Sequence, residues 1–343
     1  MELDRARYSR QILFPNIGEE GQLRLLQSRV AIVGMGALGT VLANHMVRAG
    51  AGFVRLIDRD FVEWSNLQRQ MLYDENDAKQ LLPKAEAAAG KLRQINSSVV
   101  IEPIVADLTS QNAEQWLADV DLILDGTDNF QIRFLINDVS VKHQIPWVYG
   151  GAVSAHGMTF AIIPGRTPCL RCMFASAPAP GTTPTCDTAG VIGPIIHVIA
   201  SLQATEAIKY LTGHADAVSR VSTSVDVWNT QFRQIDLTHA KQPSCICCGQ
   251  HTFEYLQTSI QEQTTTLCGR DTVQVHPKEE VRIPLADFAK RMEPIGKVEA
   301  NRFLVRVHIK DYVLVVFPDG RALVQGTNEP GIARSLYAKY IGM

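Results

Sequence analysis

The chain has no surplus of charge of either sign: 33 lysines and arginines stand against 35 aspartates and glutamates, a formal net charge of −2. Without a basic excess there is no electrostatic reason to bind nucleic acid or an anionic membrane surface. No apolar run approaches the length of a bilayer span, and there is no internal repeat. The first residues, Met1-Glu2-Leu3-Asp4-Arg5, are charged where a secretory signal needs an apolar segment. These absences predict a cytosolic protein with no nucleic-acid or membrane partner. In such a protein the seven cysteines read as thiols, metal ligands or a nucleophile, not as a disulfide framework. With 343 residues, 46% of them hydrophobic, the chain can bury a sizeable core and form one large domain plus a small one.

What is present centres on residues 29–84. The apolar run Arg29-Val30-Ala31-Ile32-Val33 leads into Gly34-Met35-Gly36-Ala37-Leu38-Gly39, and helical periodicity follows through Leu42, Met46 and Val47. A second apolar run, 53–57, ends in Asp58, nineteen residues after Gly39, where a carboxylate can accept from a ribose hydroxyl. Strand, glycine turn, helix, strand and acid thus fall in order within one βαβ length. Glycines there let the backbone approach a phosphate at the positive end of a helix dipole, so the pattern predicts a nucleotide site. The competing reading is a glycine turn needed only for packing.

The segment beyond Asp58 bears on which nucleotide. Asp60, Ser65-Asn66-Leu67-Gln68-Arg69-Gln70 and then Lys84 place an amide, a guanidinium and an ammonium just past the second strand. A dinucleotide offers a pyrophosphate that backbone amides can hold, whereas a triphosphate under attack builds charge that calls for Arg, Lys and a metal ion. The cluster favours ATP, although Arg69 and Lys84 taken singly could be solvated surface charges. A helix is expected over 83–95, with proline in its first turn.

Further along, 121–125 reads as a buried strand ending in Gly126-Thr127-Asp128-Asn129. An acid one loop beyond a strand can hold Mg²⁺ beside phosphates, and Asp128 is the candidate; its other reading is the N-cap of a helix over 130–142. Cys169 and Cys172 form one CxxC pair, and Cys245 and Cys248 another. Two such pairs predict a closed, structural Zn²⁺ site, with Cys247 a bystander. Between them a Pro- and Thr-rich loop, 177–186, ends at Cys186, just ahead of a long helix expected over 191–211 with Gly213 placed to end it. A helix dipole lowers a thiol pKa, so Cys186 reads as a reactive thiol, the alternative being an ordinary buried cysteine. A hairpin follows over 221–237, turning near Asn229. Residues 257–266 are polar and read as a linker, and 267–343 as a small α/β unit with helices over 285–292 and 331–340.

Taken together, Arg7-Tyr8-Ser9-Arg10-Gln11-Ile12, Gly34 to Gly39, Asp58 with 65–70, Asp125-Gly126-Thr127-Asp128-Asn129, and Cys186 followed by 189–194 resemble the ThiF/MoeB/HesA adenylyltransferases, bacterial relatives of the ubiquitin-activating enzymes. The resemblance covers roughly residues 5–250. It implies a Rossmann-like mixed sheet with helices on both faces and a structural zinc site, in an adenylation domain over 1–256 followed by the linker and the small domain. It also implies adenylation, with ATP and Mg²⁺, of the C-terminal Gly-Gly of a ubiquitin-like sulfur carrier of ThiS or MoaD type, for thiamine or molybdenum-cofactor synthesis. Gly34, Gly36, Ala37, Gly39, Asp58, Asp60, Ser65, Asn66, Arg69, Lys84, Asp128 and Asn129 would contact the nucleotide. Arg10 would reach the phosphates of the other subunit in a homodimer. Asp128 would hold Mg²⁺. Cys186 would relay sulfur supplied by a donor such as a cysteine desulfurase. In relatives a glycine stands shortly before the Pro-Lys pair, where here Leu81-Leu82 precede Pro83-Lys84 in a connection about two residues longer. An NAD-dependent oxidoreductase, a peptide-adenylating enzyme and an inactive binding module share parts of this pattern.

Overall fold

Apolar runs alternating with amphipathic helices build an eight-stranded sheet. Strands β1 (Arg29–Val33), β2 (Phe53–Ile57), β3 (Val100–Ile104), β4 (Leu122–Asp125) and β5 (Trp147–Val153) are parallel. An antiparallel meander, β6 (His156–Ile162), β7 (Val221–Asp226) and β8 (Gln231–Asp236), continues the sheet in the order β3-β2-β1-β4-β5-β6-β7-β8. The computed structural model describes residues 3–178, 186–257, 264–267, 271–277 and 281–342, the side chains of 186–187 and 264–267 excepted. Among the described residues no helix is long and apolar enough to cross a membrane.

Helices cover both faces, and side-chain alternation along each strand sends half of every strand to each. Val30 and Ile32 of β1 join Leu42 and Met46 of the helix Ala37–Ala49, Ala88 of the helix Lys84–Ile95 and Ile195 and Ile199 of the helix Gly193–Leu211. Ala31 and Val33 face the other way, toward Leu117 and toward Phe134 and Val139 of the helix Phe130–His143. β1 pairs with both β2 and β4, so the strand order reverses there. The carboxyl ends of strands at such a reversal frame a ligand crevice.

The chain divides into two units, Met1–Pro178 with Gly190–Thr258, and Ala179–Ala189 with Ser259–Met343. In the second, strands β9 (Thr264–Leu267), β10 (Thr272–Val275), β11 (Lys297–Ala300), β12 (Val305–Ile309), β13 (Tyr312–Val316) and β14 (Ala322–Gln325) form an antiparallel sheet in the order β11-β12-β13-β14-β10-β9. Phe288 and Met292 of the helix Leu285–Met292 and Ala333 and Tyr337 of the helix Pro330–Tyr340 share a core with Val273, Val307 and Val324.

Beyond one-residue shifts at element ends, the structure departs from the sequence expectation in two boundaries and one added strand. The long helix starts at Gly193 because Val191 bridges to Ser154 and Ile192 N–H donates to the Ser154 carbonyl (3.0 Å). β9 begins inside the stretch read as linker, of which 258–263 lie outside the described residues. β11, too polar to stand out in the sequence, is held by pairing with β12.

Candidate functional site

The crevice is built on interlocked glycines. Gly34 leaves β1 with a left-handed φ of 86°, and a Cβ there would stand 2.8 Å from the Gly126 carbonyl. A Cβ on Gly39 would lie 1.8 Å from the Gly34 oxygen, and one on Gly126 only 2.5 Å from it. These three positions are glycine because the backbone packs against itself. Gly36 is different: a Cβ there would meet nothing within 4 Å except Gln70 Nε2 at 3.9 Å. Its open side lies at the start of the helix Ala37–Ala49, whose N-cap makes no side-chain hydrogen bond, so first-turn amides are left for an anion.

Asp58, at the end of β2, accepts from Met35 N–H of the glycine turn (2.6 Å) and from Asp60 N–H (2.7 Å). Burial pushes its carboxyl above the ordinary value, against the pull of Lys84. Lys84, first residue of the helix Lys84–Ile95, is 3% exposed, with Nζ 3.2 Å from Asp60 Oδ2. In the connection ahead of it Leu81 takes a left-handed φ of 51°, and Phe61 bridges to Pro83 while Lys84 N–H donates to the Asp60 carbonyl (2.8 Å). Tyr73 ties the turn to this lysine: its hydroxyl donates to the Met35 carbonyl (2.7 Å) and stands 3.1 Å from the Lys84 carbonyl. Asn66 is buried, its Oδ1 accepting from Glu63 N–H (3.0 Å). Arg69 donates to the carbonyl of exposed Ser65 (2.9 Å).

Two arginines that the sequence did not single out join this network, Arg59 through Asp60 and Arg133 through Asp125. Burial works against the charge of Arg59, but Asp107 (2.8 Å), Asp60 and Asp128 outweigh it and hold the guanidinium above its usual value. Arg133 is governed likewise by Asp125 (2.9 Å) and donates to the Thr127 (2.6 Å) and Gly150 (2.7 Å) carbonyls. A basic residue eight positions past the end of β4, one helical turn into the next helix, is the available sequence signal. Gln203 reaches in from the long helix, donating to the Asp125 carbonyl (2.9 Å). The cap of the helix Phe130–His143 is Asn129, whose Oδ1 accepts from Gln131 N–H (2.8 Å), so the capping role considered for Asp128 belongs to its neighbour. Asp128 is left exposed on the loop. A hydrated Mg²⁺ takes one or two carboxylates plus phosphate oxygens, and an exposed carboxylate here fits that donor set.

Farther off, the Sγ atoms of Cys169, Cys172, Cys245 and Cys248 lie within 4.8 Å of one another. Measured separations are 3.9 Å (Cys169 to Cys172), 3.6 Å (Cys169 to Cys245) and 3.5 Å (Cys172 to Cys248). A tetrahedral zinc with bonds of about 2.3 Å sets sulfurs about 3.8 Å apart, so the cluster can hold one. Hydrogen bonding from Cys169 and burial push the Cys172 thiol up to about 12, and burial pushes Cys248 up to about 11; a cation is what would make such thiols ligands. Gln242 N–H already points at Cys172 Sγ (3.5 Å). Cys247 is not one of the four but adjoins them, interacting with Cys169 and with Asp138 and accepting from Asn137 Nδ2 (3.2 Å), while the Asn137 Oδ1 accepts from Leu170 N–H (2.7 Å). Cys186 opens the helix Cys186–Ala189; its side chain, 179–185 and 268–270 lie outside the described residues. Arg10 is exposed on the helix Ser9–Ile12, beside Leu13 and Phe14, 70% and 53% exposed.

Comparison with known proteins places this geometry. The ThiF family model matches residues 8–247. The chain is 43% identical over 337 residues to a sulfur carrier protein ThiS adenylyltransferase of Bacillus subtilis, covering 98% of this chain and 99% of that protein. It is 39% identical over 254 residues to a sulfur carrier protein adenylyltransferase of Thermus thermophilus, covering 72% of this chain and 91% of that one. Escherichia coli MccB, solved with ATP, shares the fold with a TM-score of 0.63 at 22% identity, over 72% of this chain and 75% of its own. With four-tenths identity sustained along nearly the whole length of an adenylyltransferase, this chain belongs to the ThiF family of adenylyltransferases.

Proposed function

We propose that the enzyme uses ATP to adenylate the C-terminal Gly-Gly carboxylate of a small ubiquitin-like sulfur carrier of the ThiS type. The observation that carries the reaction class is the open face of Gly36 with first-turn amides beside it, and it is supported by the Lys84–Asp60 pair next to Asp58 at the end of β2. That arrangement suits a phosphate chain at a helix amino end. The choice of ThiS over MoaD rests on the similarity to the Bacillus subtilis protein, which extends through the small C-terminal unit.

In this reading the carboxylate attacks the α-phosphorus, pyrophosphate leaves and an acyl-adenylate remains. Asp58 accepts from a ribose hydroxyl. Lys84, Arg69 and Asn66 hold the phosphate chain, and their fixed charges offset what builds on it as the bond to pyrophosphate breaks. Mg²⁺, held by Asp128, would neutralise phosphate charge. Arg10, beside the exposed Leu13 and Phe14, would act on the nucleotide of a second copy in a homodimer. Cys186, at the start of its helix, would receive sulfane sulfur as a persulfide from a donor such as a cysteine desulfurase; its outer sulfur would attack the acyl-adenylate carbonyl, with AMP as the leaving group. The four-cysteine cluster would bind structural zinc. The glycine fingerprint that a nicotinamide enzyme would share leaves Arg69, Lys84 and Asp128 without a task.

ATP–pyrophosphate exchange by the purified protein tests the proposal, with ThiS-type and MoaD-type carriers ending in Gly-Gly supplied in turn. Exchange with the ThiS-type carrier is expected. Exchange with the MoaD-type carrier alone would refute the pathway, and exchange with neither would refute carrier adenylation and turn the search to peptide substrates.

A further inference from the structure

Gln70 closes the segment that carries Arg69, and its backbone is fully used: N–H donates to the Asn66 carbonyl (2.9 Å), and its own carbonyl accepts from Tyr73 N–H (3.2 Å). The residue is only 3% exposed, yet its Oε1 is buried with no hydrogen-bond partner among the described residues. Native folds seldom leave a buried amide oxygen unpaired, and where they do the side chain is commonly held for something other than the fold. The other end of this amide shows what that is. Nε2 stands 3.9 Å from the point a Cβ on Gly36 would occupy, and no other atom comes within 4 Å of that point. The amide thus sets its Nε2 at the open side of Gly36, at the start of a 13-residue helix with no capping side chain, while its Oε1 is the buried atom left without a partner.

We propose that Gln70 is a substrate-contacting residue, its Nε2 donating to an α-phosphate oxygen of the nucleotide seated above Gly36. The assignment rests on the adenylation reading and deepens it. Anions collect where first-turn N–H groups point outward, so the group facing Gly36 has to be a donor. An amide supplies one with no charge of its own, which suits a site where Lys84 and Arg69 already provide the cations. It also has a fixed planar direction, which places the α-phosphorus for in-line attack in a way that a mobile ammonium does not.

The experiment compares wild type, Gln70→Met and Gln70→Glu for binding of ATP, AMP and adenosine by calorimetry, with thermal unfolding as the check on folding. Methionine keeps the length and loses the hydrogen bond; glutamate keeps the shape and brings negative charge to the phosphate. A hydrogen bond to a charged group corresponds to about tenfold in affinity or more. Gln70→Met is expected to weaken ATP and AMP about tenfold and to leave adenosine unchanged, and Gln70→Glu to weaken ATP and AMP further. AMP bound equally by wild type and Gln70→Met would overturn the proposal. So would an equal loss for adenosine, which would place the contact on the nucleoside, or a Gln70→Glu variant that binds like wild type. A wild type that binds ATP but exchanges pyrophosphate with no carrier would overturn the adenylation reading, while the AMP and adenosine comparison still decides the role of Gln70.

Discussion

Two single-methyl substitutions, three residues apart in one turn, should have opposite effects. In Gly39→Ala the new Cβ would sit 1.8 Å from the Gly34 oxygen and 2.8 Å from its carbon, both backbone atoms that cannot rotate away. Restoring contact distance needs a shift of more than 1 Å between the helix and β1. Overpacking of that kind costs about 3 kcal/mol or more. For a domain of this size, roughly 2–4 °C of melting temperature accompanies each kcal/mol, so a drop on the order of 6–12 °C is expected, and soluble expression should fall. In Gly36→Ala the methyl enters open space. Its φ of −78° lies outside the left-handed region and its ψ of −143° outside the common α and β ranges, so the stability cost should be about 1 kcal/mol, well below that of Gly39→Ala. The same methyl occupies the space assigned to phosphate, displacing it from at least one backbone donor. Loss of one or two charge-assisted hydrogen bonds corresponds to about 10- to 100-fold or more in ATP affinity. Thermal unfolding and ATP calorimetry on both variants are the assays. Wild-type ATP affinity in Gly36→Ala would show that the open face does not receive the nucleotide, and an unchanged melting temperature in Gly39→Ala would refute the packing argument.

Other outcomes follow from the same geometry. Arg69→Ala and Asp128→Ala should each lower pyrophosphate exchange at least about 100-fold with little change in melting temperature, since neither side chain is buried; normal exchange in either removes that residue from the mechanism. A strong chelator should lower the melting temperature by several degrees, with recovery on adding zinc, and an unaltered unfolding curve after metal analysis shows zinc removed would deny the cluster a structural role. Burial opposes ionisation of Asp119, yet Arg55 (2.5 Å) and Arg29 (2.7 Å) outweigh it and hold the carboxyl below its ordinary 3.8. Its folded pKa being the lower one, the stability it contributes is present above about pH 4 and is lost as pH falls through the folded value. Asp119→Asn should flatten the acid end of a stability–pH curve. Cys186→Ser should leave exchange intact and slow sulfur transfer to the carrier; undiminished transfer removes the relay.

The glycine-lined crevice was legible because its pieces are local. Gly34 to Gly39, β2 and Asp58 lie within one supersecondary unit, and period-2 and period-3.6 patterns expose such units directly. The two CxxC pairs were legible for another reason: thiol ligands come in fixed spacings even when the pairs are far apart. What could not be read depends on groups meeting across the fold. Arg59 finds Asp107 from a different loop, and Arg133 finds Asp125 by doubling back from a helix. The unpaired amide of Gln70 has no sequence signature at all, because being unsatisfied is a property of surroundings. The choice between Asp128 and Asn129 as cap turned on one residue of register. β11 was missed because its pairing with β12, and not its own composition, makes it a strand.

The cysteine cluster has a consequence for how the protein is made. Cys169 and Cys172 leave the ribosome with 72 residues still to be added before Cys245 appears. At about 5–20 residues per second, that interval is roughly 4–14 s. For that time β1 to β5 already exist as a chain able to pair, while half of a thiol clip waits with no partner, open to oxidants and to metals that bind sulfur more tightly than zinc does. The long helix Gly193–Leu211, whose Gln203 props the β4 carbonyl end, is synthesised inside that same window. If the four cysteines bind zinc as proposed, the clip closes late in synthesis, after β1 to β5 and the long helix have been made.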